Sequence, residues 1–213
     1  MPHLSRLPQS LDPSPFPATL RYRIPGTASA TALPDWWRGF KAPLIYVPIG
    51  TVPYVSIAAD AYATVLRALE EFPQTRAHVH VGPWVDRSDV MEEADVVLRH
   101  RGSETVFAAL GAGIPLVIVP LFADQFENGR RVQGVRSGLT VEDSREEPSG
   151  PRRFAGSLDP VRISSAVSSV ITKSLFRERG RRVASEMASA STADEVLATC
   201  WPGTPRPRSF DAQ

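Results

Sequence analysis

WVDRSDVMEEADVVLRHRGSETVFAALGAGIPLVIVPLFADQFENGRRV, residues Trp84 to Val132, is the stretch that decides the fold. It holds two short apolar runs rich in β-branched residues, Ala94 to Leu98 and Pro115 to Pro120. Each leads into a polar or glycine-containing segment, as buried parallel strands do. Between them, Val106, Ala109, Leu110 and Gly113 recur at helical spacing, which predicts a helix from Thr105 to Ala112. Strand, turn, helix and strand make a βαβ unit. Its turn, His100 to Thr105, combines Gly102 with the hydroxyls of Ser103 and Thr105 at a helix start. Free N–H groups and the helix dipole converge there, so the natural guest is an anion, most often a phosphate.

Working outward, the chain has 213 residues, 42% hydrophobic and 22% charged, with a net charge of +1. That is enough for one substantial core, and it gives no reason to expect nucleic acid or a membrane surface as partner. A single cysteine, Cys200, excludes an intramolecular disulfide. There is neither a run of about 18 apolar residues nor a basic-then-apolar leader, so neither a membrane span nor a secretory signal is expected. The expected location is cytoplasmic. No metal-ligand spacing is present: His78 and His80 alternate on an expected strand without further ligands near them in sequence.

The flanks fit an alternating α/β chain. Residues 1–42 are rich in proline and serine and show neither helical nor strand periodicity, so they read as an extended, largely irregular segment crossing a surface. Leu44 to Ile49 reads as a buried strand ending in Gly50-Thr51, Ile57 to Phe72 as a helix stopped by Pro73, and His78 to Val81 as a second strand. After Asp124 a helix runs through Val132, and Gly138 to Val141 is a last strand. A polar loop, Glu142 to Ser157, precedes a helix opened by Asp159-Pro160. A second helix, about Leu175 to Ala190, carries Arg177, Arg179, Arg181 and Arg182, read as a solvated face because Glu178 and Glu186 interleave. Asp194 to Trp201 is a short helix, and residues 202–213 have the composition of a disordered tail. The expected architecture is one Rossmann-like, doubly wound α/β domain over residues 43–201, with five or six parallel strands.

Four elements in this order carry a resemblance: Trp84-Val85-Asp86-Arg87, His100-Arg101-Gly102-Ser103-Glu104-Thr105, Gly113-Ile114-Pro115, and Asp124-Gln125-Phe126-Glu127-Asn128. They resemble the Trp-Val-Pro-Gln, His-Gly-Gly-x-Gly-Thr, Gly-x-Pro and Asp-Gln-x-x-Asn pattern of the UDP/TDP-dependent GT-B glycosyltransferases. That family includes plant secondary-product and actinobacterial antibiotic glycosyltransferases. Residues 1–42, with Pro34-Asp35-Trp36-Trp37, resemble the linker leading into its second half. The resemblance implies a single half of a GT-B fold: the nucleotide-sugar donor domain, with the acceptor domain and its general-base histidine not encoded here.

The implied donor-binding residues are Gly50 and Thr51 beside the diphosphate, Trp84 stacking on the base, and Arg87 as a replacement contact near the ribose. His100, Gly102, Ser103 and Thr105 would meet the diphosphate, and Asp124 and Gln125 the hydroxyls of the sugar. Several have a plainer alternative: Gly50-Thr51 as strand terminator, Trp84 and His100 as structural residues, Thr105 and Asp124 as helix caps. Arg101 and Glu104 depart from family glycines. A carboxylate at Glu104 occupies the electrostatic niche of a diphosphate, which predicts weakened donor affinity. The implied reaction is inverting, metal-free transfer of a hexose or deoxyhexose from a UDP- or TDP-sugar to a small secondary-metabolite-like acceptor, with no cofactor. Two other readings stay open: an inactive truncated transferase, and a nucleotide-binding accessory protein of another transferase. A separately encoded acceptor domain or partner transferase is the partner each active reading needs.

Overall fold

The apolar runs form strands because their side chains can be buried on both faces of a sheet. The structure, a computed structural model, describes residues 2–24, 43–48, 55–70, 87–99, 103–120, 124–141 and 158–201. Two strands near the amino terminus are β1 (His3–Ser5) and β2 (Thr19–Arg23). The main sheet follows in the order β3 (Ile45–Tyr46), β4 (Val96–Arg99), β5 (Leu116–Ile118) and β6 (Gly138–Thr140), all parallel. Val97 sits opposite Leu116, and Leu116 opposite Gly138.

Alternation along these strands divides the interior into two cores. Val96, Leu98, Val117 and Val119 join one core, together with Val65 and Leu69 of α1 (Val55–Glu70) and Ile163, Val167 and Val170 of a later helix, Pro160–Thr172. Val97, Leu116 and Ile118 join the other. There they meet Met91 of α2 (Arg87–Glu93), Val106, Ala109 and Leu110 of α3 (Ser103–Gly111), and Val132 of α4 (Gln125–Gly134). Helices on both faces of a parallel sheet make the doubly wound, Rossmann-like half expected from the sequence. Each fully buried aliphatic side chain contributes roughly 1.5–3 kcal/mol.

The carboxyl-terminal helices are α5 (Pro160–Thr172), α6 (Ser174–Ser189) and α7 (Ala193–Cys200). Asp159 caps α5 by accepting from the Val161 N–H at 2.9 Å, with Pro160 in the first turn, as its sequence predicts. Helix α6 crosses the turn between α3 and β5 where two glycines meet. A Cβ on Gly180 would lie 2.7 Å from the carbonyl oxygen of Gly113, which itself has φ +72°. Arg177 of α6 bonds the Asp95 carboxylate at 2.7 Å and its carbonyl at 3.1 Å. That arginine anchors α6 beside β4 rather than joining a purely solvated face.

Residues 2–24 differ from the irregular segment their composition predicts. β1 pairs in parallel with β2, and β2 with β7 (Ser191–Thr192), forming a second small sheet. Leu11 is buried in the core that holds α3. Ser10 donates from N–H and hydroxyl to Glu186 at 3.1 and 2.5 Å, Arg131 of α4 pairs with Asp12 at 3.3 Å, and Arg21 donates to the carbonyls of Leu7 and Asp12. The missed signal is long-range: β2 is completed by residues far along the chain, which leave no periodicity in its own sequence.

Among the described residues the main sheet has four strands. The strand expected at His78 to Val81, the loop Glu142 to Ser157 and the tail 202–213 lie outside the described residues.

Candidate functional site

In parallel βαβ units the helix following a strand starts at that strand's carboxyl end, where ligands of open α/β sheets collect. β4 and β5 are neighbours, so the starts of α3 and α4 lie at adjacent positions on one edge of the sheet. The structure brings Ser103, Thr105, Asp124 and Gln125 to this edge. Gly50, Thr51, Trp84, His100 and Gly102 lie outside the described residues, and Arg87 is placed by its backbone as the first residue of α2.

Ser103 opens α3, and its hydroxyl donates to Asp124 Oδ2 at 2.8 Å. The Asn128 side-chain amide donates to the same oxygen at 3.1 Å. A carboxylate accepting two hydrogen bonds from separate helices is held in one orientation, and its second oxygen can still accept from a ligand. Asp124 stands at the N-cap position of α4, but its side chain makes no capping bond. It therefore departs from the alternative in which this carboxylate caps its own helix; its backbone carbonyl instead accepts the Asn128 N–H at 2.9 Å. Gln125, the first residue of α4, is only 5% exposed. Thr105 is the third residue of α3 and 5% exposed, so it lies past the cap position, with its neighbour Val106 in the core.

Glu104 lies in the first turn of α3, where the dipole favours its charge. Its carboxylate pairs with Arg6 at 2.7 Å, and the Arg6 guanidinium lies 4.8 Å over the ring of Phe107. Sequence reading missed Arg6 because the ion pair joins positions 98 apart. Its one visible signal was a cation in a stretch resembling the linker.

Farther along α4, Glu127 accepts from Arg130 at 2.7 and 2.8 Å and from Arg131 at 2.8 Å. The Arg130 hydrogen bonds, aided by Arg131 and opposed by partial burial, lower its pKa from 4.5 to about 2. The helix so stabilised carries Asp124 and Asn128 at its start. No group of three or more His, Cys, Asp or Glu is placed to hold a metal ion among the described residues. No helix among them is long and apolar enough to cross a membrane.

The chain is similar to known proteins in sequence and in fold. Residues 56–201 match the family described as erythromycin biosynthesis protein CIII-like, C-terminal domain. An L-demethylnoviosyl transferase of Streptomyces niveus is 27% identical over 204 residues, covering 87% of this chain and 51% of that protein. A PGL/p-HBAD biosynthesis glycosyltransferase of Mycobacterium tuberculosis is 26% identical over 186 residues, 79% of this chain and 40% of that protein. The solved spinosyn rhamnosyltransferase SpnG superposes with a TM-score of 0.71 at 18% identity, over 92% of this chain and 55% of that one. The glycosyltransferase SnogD from Streptomyces nogalater does so with a TM-score of 0.69 at 21% identity, over 93% and 55%. The chain thus spans about half the length, or less, of the relatives it matches. By its matched residues and by its fold, the chain belongs to the erythromycin biosynthesis protein CIII-like family, as its carboxyl-terminal domain, and so to the GT-B nucleotide-sugar glycosyltransferases.

Proposed function

We propose that this chain is the donor-binding half of an inverting glycosyltransferase that moves a hexose or deoxyhexose from a UDP- or TDP-sugar to a hydroxyl of a small secondary-metabolite-like acceptor. The observation that carries the proposal is the Asp124 carboxylate, fixed by Ser103 and Asn128 between the starts of α3 and α4. A preorganised acceptor suits sugar hydroxyls, and the adjacent α3 start suits a diphosphate.

In this reading residues 43–201 form the donor domain and residues 1–42 the linker. Trp84 stacks on the base, with Arg87 near the ribose. Gly50, Thr51, His100, Gly102, Ser103 and Thr105 surround the diphosphate, and Asp124 and Gln125 bind the sugar. The relatives' names support the substrate class: one is an L-demethylnoviosyl transferase, another a spinosyn rhamnosyltransferase.

The chain's own contribution to rate is stabilisation of the departing nucleoside diphosphate by N–H groups and dipole at the start of α3. As the acceptor oxygen bonds to the anomeric carbon, the bond to the diphosphate breaks and its charge moves toward that helix. Proton removal from the acceptor falls to an acceptor-binding domain, on the same polypeptide or a separate one. In this reading the reaction is cytoplasmic and needs no metal or cofactor.

Calorimetric titration with UDP, TDP and UDP-glucose tests the proposal. Saturable binding that is lost in His100→Ala and weakened in Asp124→Ala supports it. No binding at millimolar nucleotide would overturn it and favour an inactive relative that keeps the fold without the chemistry.

A further inference from the structure

The cations of α6 do not make one solvated face. Glu186, which interleaves with them in sequence, instead accepts from the N–H and hydroxyl of Ser10. Lys173, Arg177 and Arg181 recur at four-residue spacing, so they share one side of the helix, spread over about 12 Å of its axis. That side lines a cleft of about 370 Å³ between the α5–α6 junction and the amino end of β4, whose walls also include Asp95, Glu178, Pro43 and Ile171. The volume is that of an ordinary small-molecule pocket.

The charges in this cleft are not balanced. Both oxygens of Asp95 are engaged, Oδ1 by Arg177 Nη2 at 2.7 Å and Oδ2 by the Leu44 N–H at 3.0 Å. Arg177 uses only Nη2 in its bonds to Asp95, which leaves its Nε–H and Nη1–H groups for a ligand. Among the described residues, Lys173, Arg181 and Glu178 have no ion-pair partner. Arg181 is seated by its stem, since its Cα and Cγ lie 3.3 Å from where a Cβ on Gly113 would stand. Three cations thus face two carboxylates, one of them already committed. An anion entering here gains charge-assisted hydrogen bonds, and Pro43 and Ile171 offer apolar surface beside it.

We infer that this cleft is a second ligand site, for a phosphate monoester with an apolar body. The double charge and three terminal oxygens of the phosphate suit Lys173, Arg177 and Arg181, and the body rests on Pro43 and Ile171. The cleft lies at the amino end of β4 and the donor edge at its carboxyl end, roughly 13 Å apart along the four-residue strand. Ser103 and Asp124 take no part in it.

Calorimetric titration with phenyl phosphate, inorganic phosphate and phenol, at constant ionic strength, tests the inference. Phenyl phosphate is expected to bind saturably and about threefold or more tighter than inorganic phosphate, and phenol not at all. The Lys173→Met/Arg181→Met pair keeps both stems and removes two charges, so it should weaken phenyl phosphate by about tenfold or more. Glu178→Gln removes the opposing carboxylate and should tighten binding by about two- to threefold. Arg182→Met, on the same helix but outside the cleft, and His100→Ala should bind phenyl phosphate as the parent does. Thermal melts confirm that each variant is folded; Lys173→Met with Glu178→Gln, as single changes of opposite expected sign, replace a pair that is not.

No binding of phenyl phosphate by the parent, or a loss in the pair no larger than in Arg182→Met, overturns the inference. So does binding that disappears in His100→Ala and survives in the pair, which would place the anion at the donor edge. Titration of the same variants with UDP keeps the two readings apart. UDP binding unchanged in the pair while phenyl phosphate is lost supports both sites, whereas a parent that binds phenyl phosphate through Lys173 and Arg181 but no UDP keeps the cleft and overturns the donor reading.

Discussion

Ser103 and Asp124, 21 positions apart, are joined by a hydrogen bond of 2.8 Å that ties the first residue of α3 to the residue before α4. The bond lies where two neighbouring strands hand over to their helices, so a ligand there meets both helix starts at once. Asp124→Asn keeps the shape and removes the charge. It is expected to reduce affinity for UDP-glucose by roughly tenfold or more, as loss of a charged hydrogen bond does, while changing affinity for UDP far less. Ser103→Ala, which loosens the carboxylate and also removes a hydroxyl placed beside the diphosphate, should lower affinity for both ligands, and more for UDP-glucose than for UDP. Parallel titrations with the two ligands check this; equal losses for both would place Asp124 away from the sugar.

Close packing of the sheet predicts a sharp contrast between two glycines. A Cβ on Gly138 would lie 2.1 Å from the Leu116 carbonyl oxygen and 2.9 Å from Val132 Cγ1, in the pairing of β5 with β6. Backbone at a strand pair cannot yield, so Gly138→Ala should cost at least about 3 kcal/mol in urea unfolding or abolish the folded state. Gly134, at the end of α4, has nothing within 4 Å of its would-be Cβ. Gly134→Ala should be neutral or stabilise by up to about 1 kcal/mol.

The small sheet depends on a capping box. Thr192 Oγ1 accepts the Glu195 N–H at 3.3 Å, and the Glu195 carboxylate accepts the Thr192 N–H at 2.7 Å. Hydrogen bonding of that carboxylate to the Thr192 backbone N–H first, and then to the Thr192 side chain, lowers the pKa of Glu195. Thr192 also pairs with Arg23 in the sheet. Thr192→Ala should cost about 0.5–2 kcal/mol, with faster hydrogen exchange in α7 and β2 together. Faster exchange in α7 alone would show that the cap does not support the sheet.

Acid should weaken α4 through Glu127. Its pKa is depressed, so its pairing with Arg130 and Arg131 stabilises fully above the ordinary value of 4.5 and is lost as the pH falls to about 2. The carboxylate is 43% exposed, so solvent screening keeps the contribution below about 1 kcal/mol. The stability difference between the parent and Glu127→Gln, from urea midpoints at pH 7, 4 and 2.5, should shrink toward zero across that window. A difference independent of pH would assign the stabilisation to packing rather than to charge.

Much of this molecule was legible from neighbouring residues alone. The strands at Val96 and Leu116, helices α3 to α6 and the Asp159-Pro160 helix start all follow from patterns a few residues long. The family could be read from ordered short motifs because the turns that bind phosphate and sugar are themselves local. Asp124 shows the limit of that reading. Its sequence is that of a good cap, yet its carboxylate turns to Ser103, since a side chain takes the best donor in three dimensions and β4–β5 pairing brings that donor close.

The sequence by itself determined the alternation of strands and helices, the two-sided burial of the sheet and the family, because periodicity and turn chemistry are set by residues adjacent in the chain. Only the tertiary structure decided that residues 2–24 form strands against Ser191–Thr192, and that Arg6 meets Glu104. Backbone pairing and ion pairing depend on distance through space. Partners 98 positions apart in the chain become neighbours only once both cores have closed.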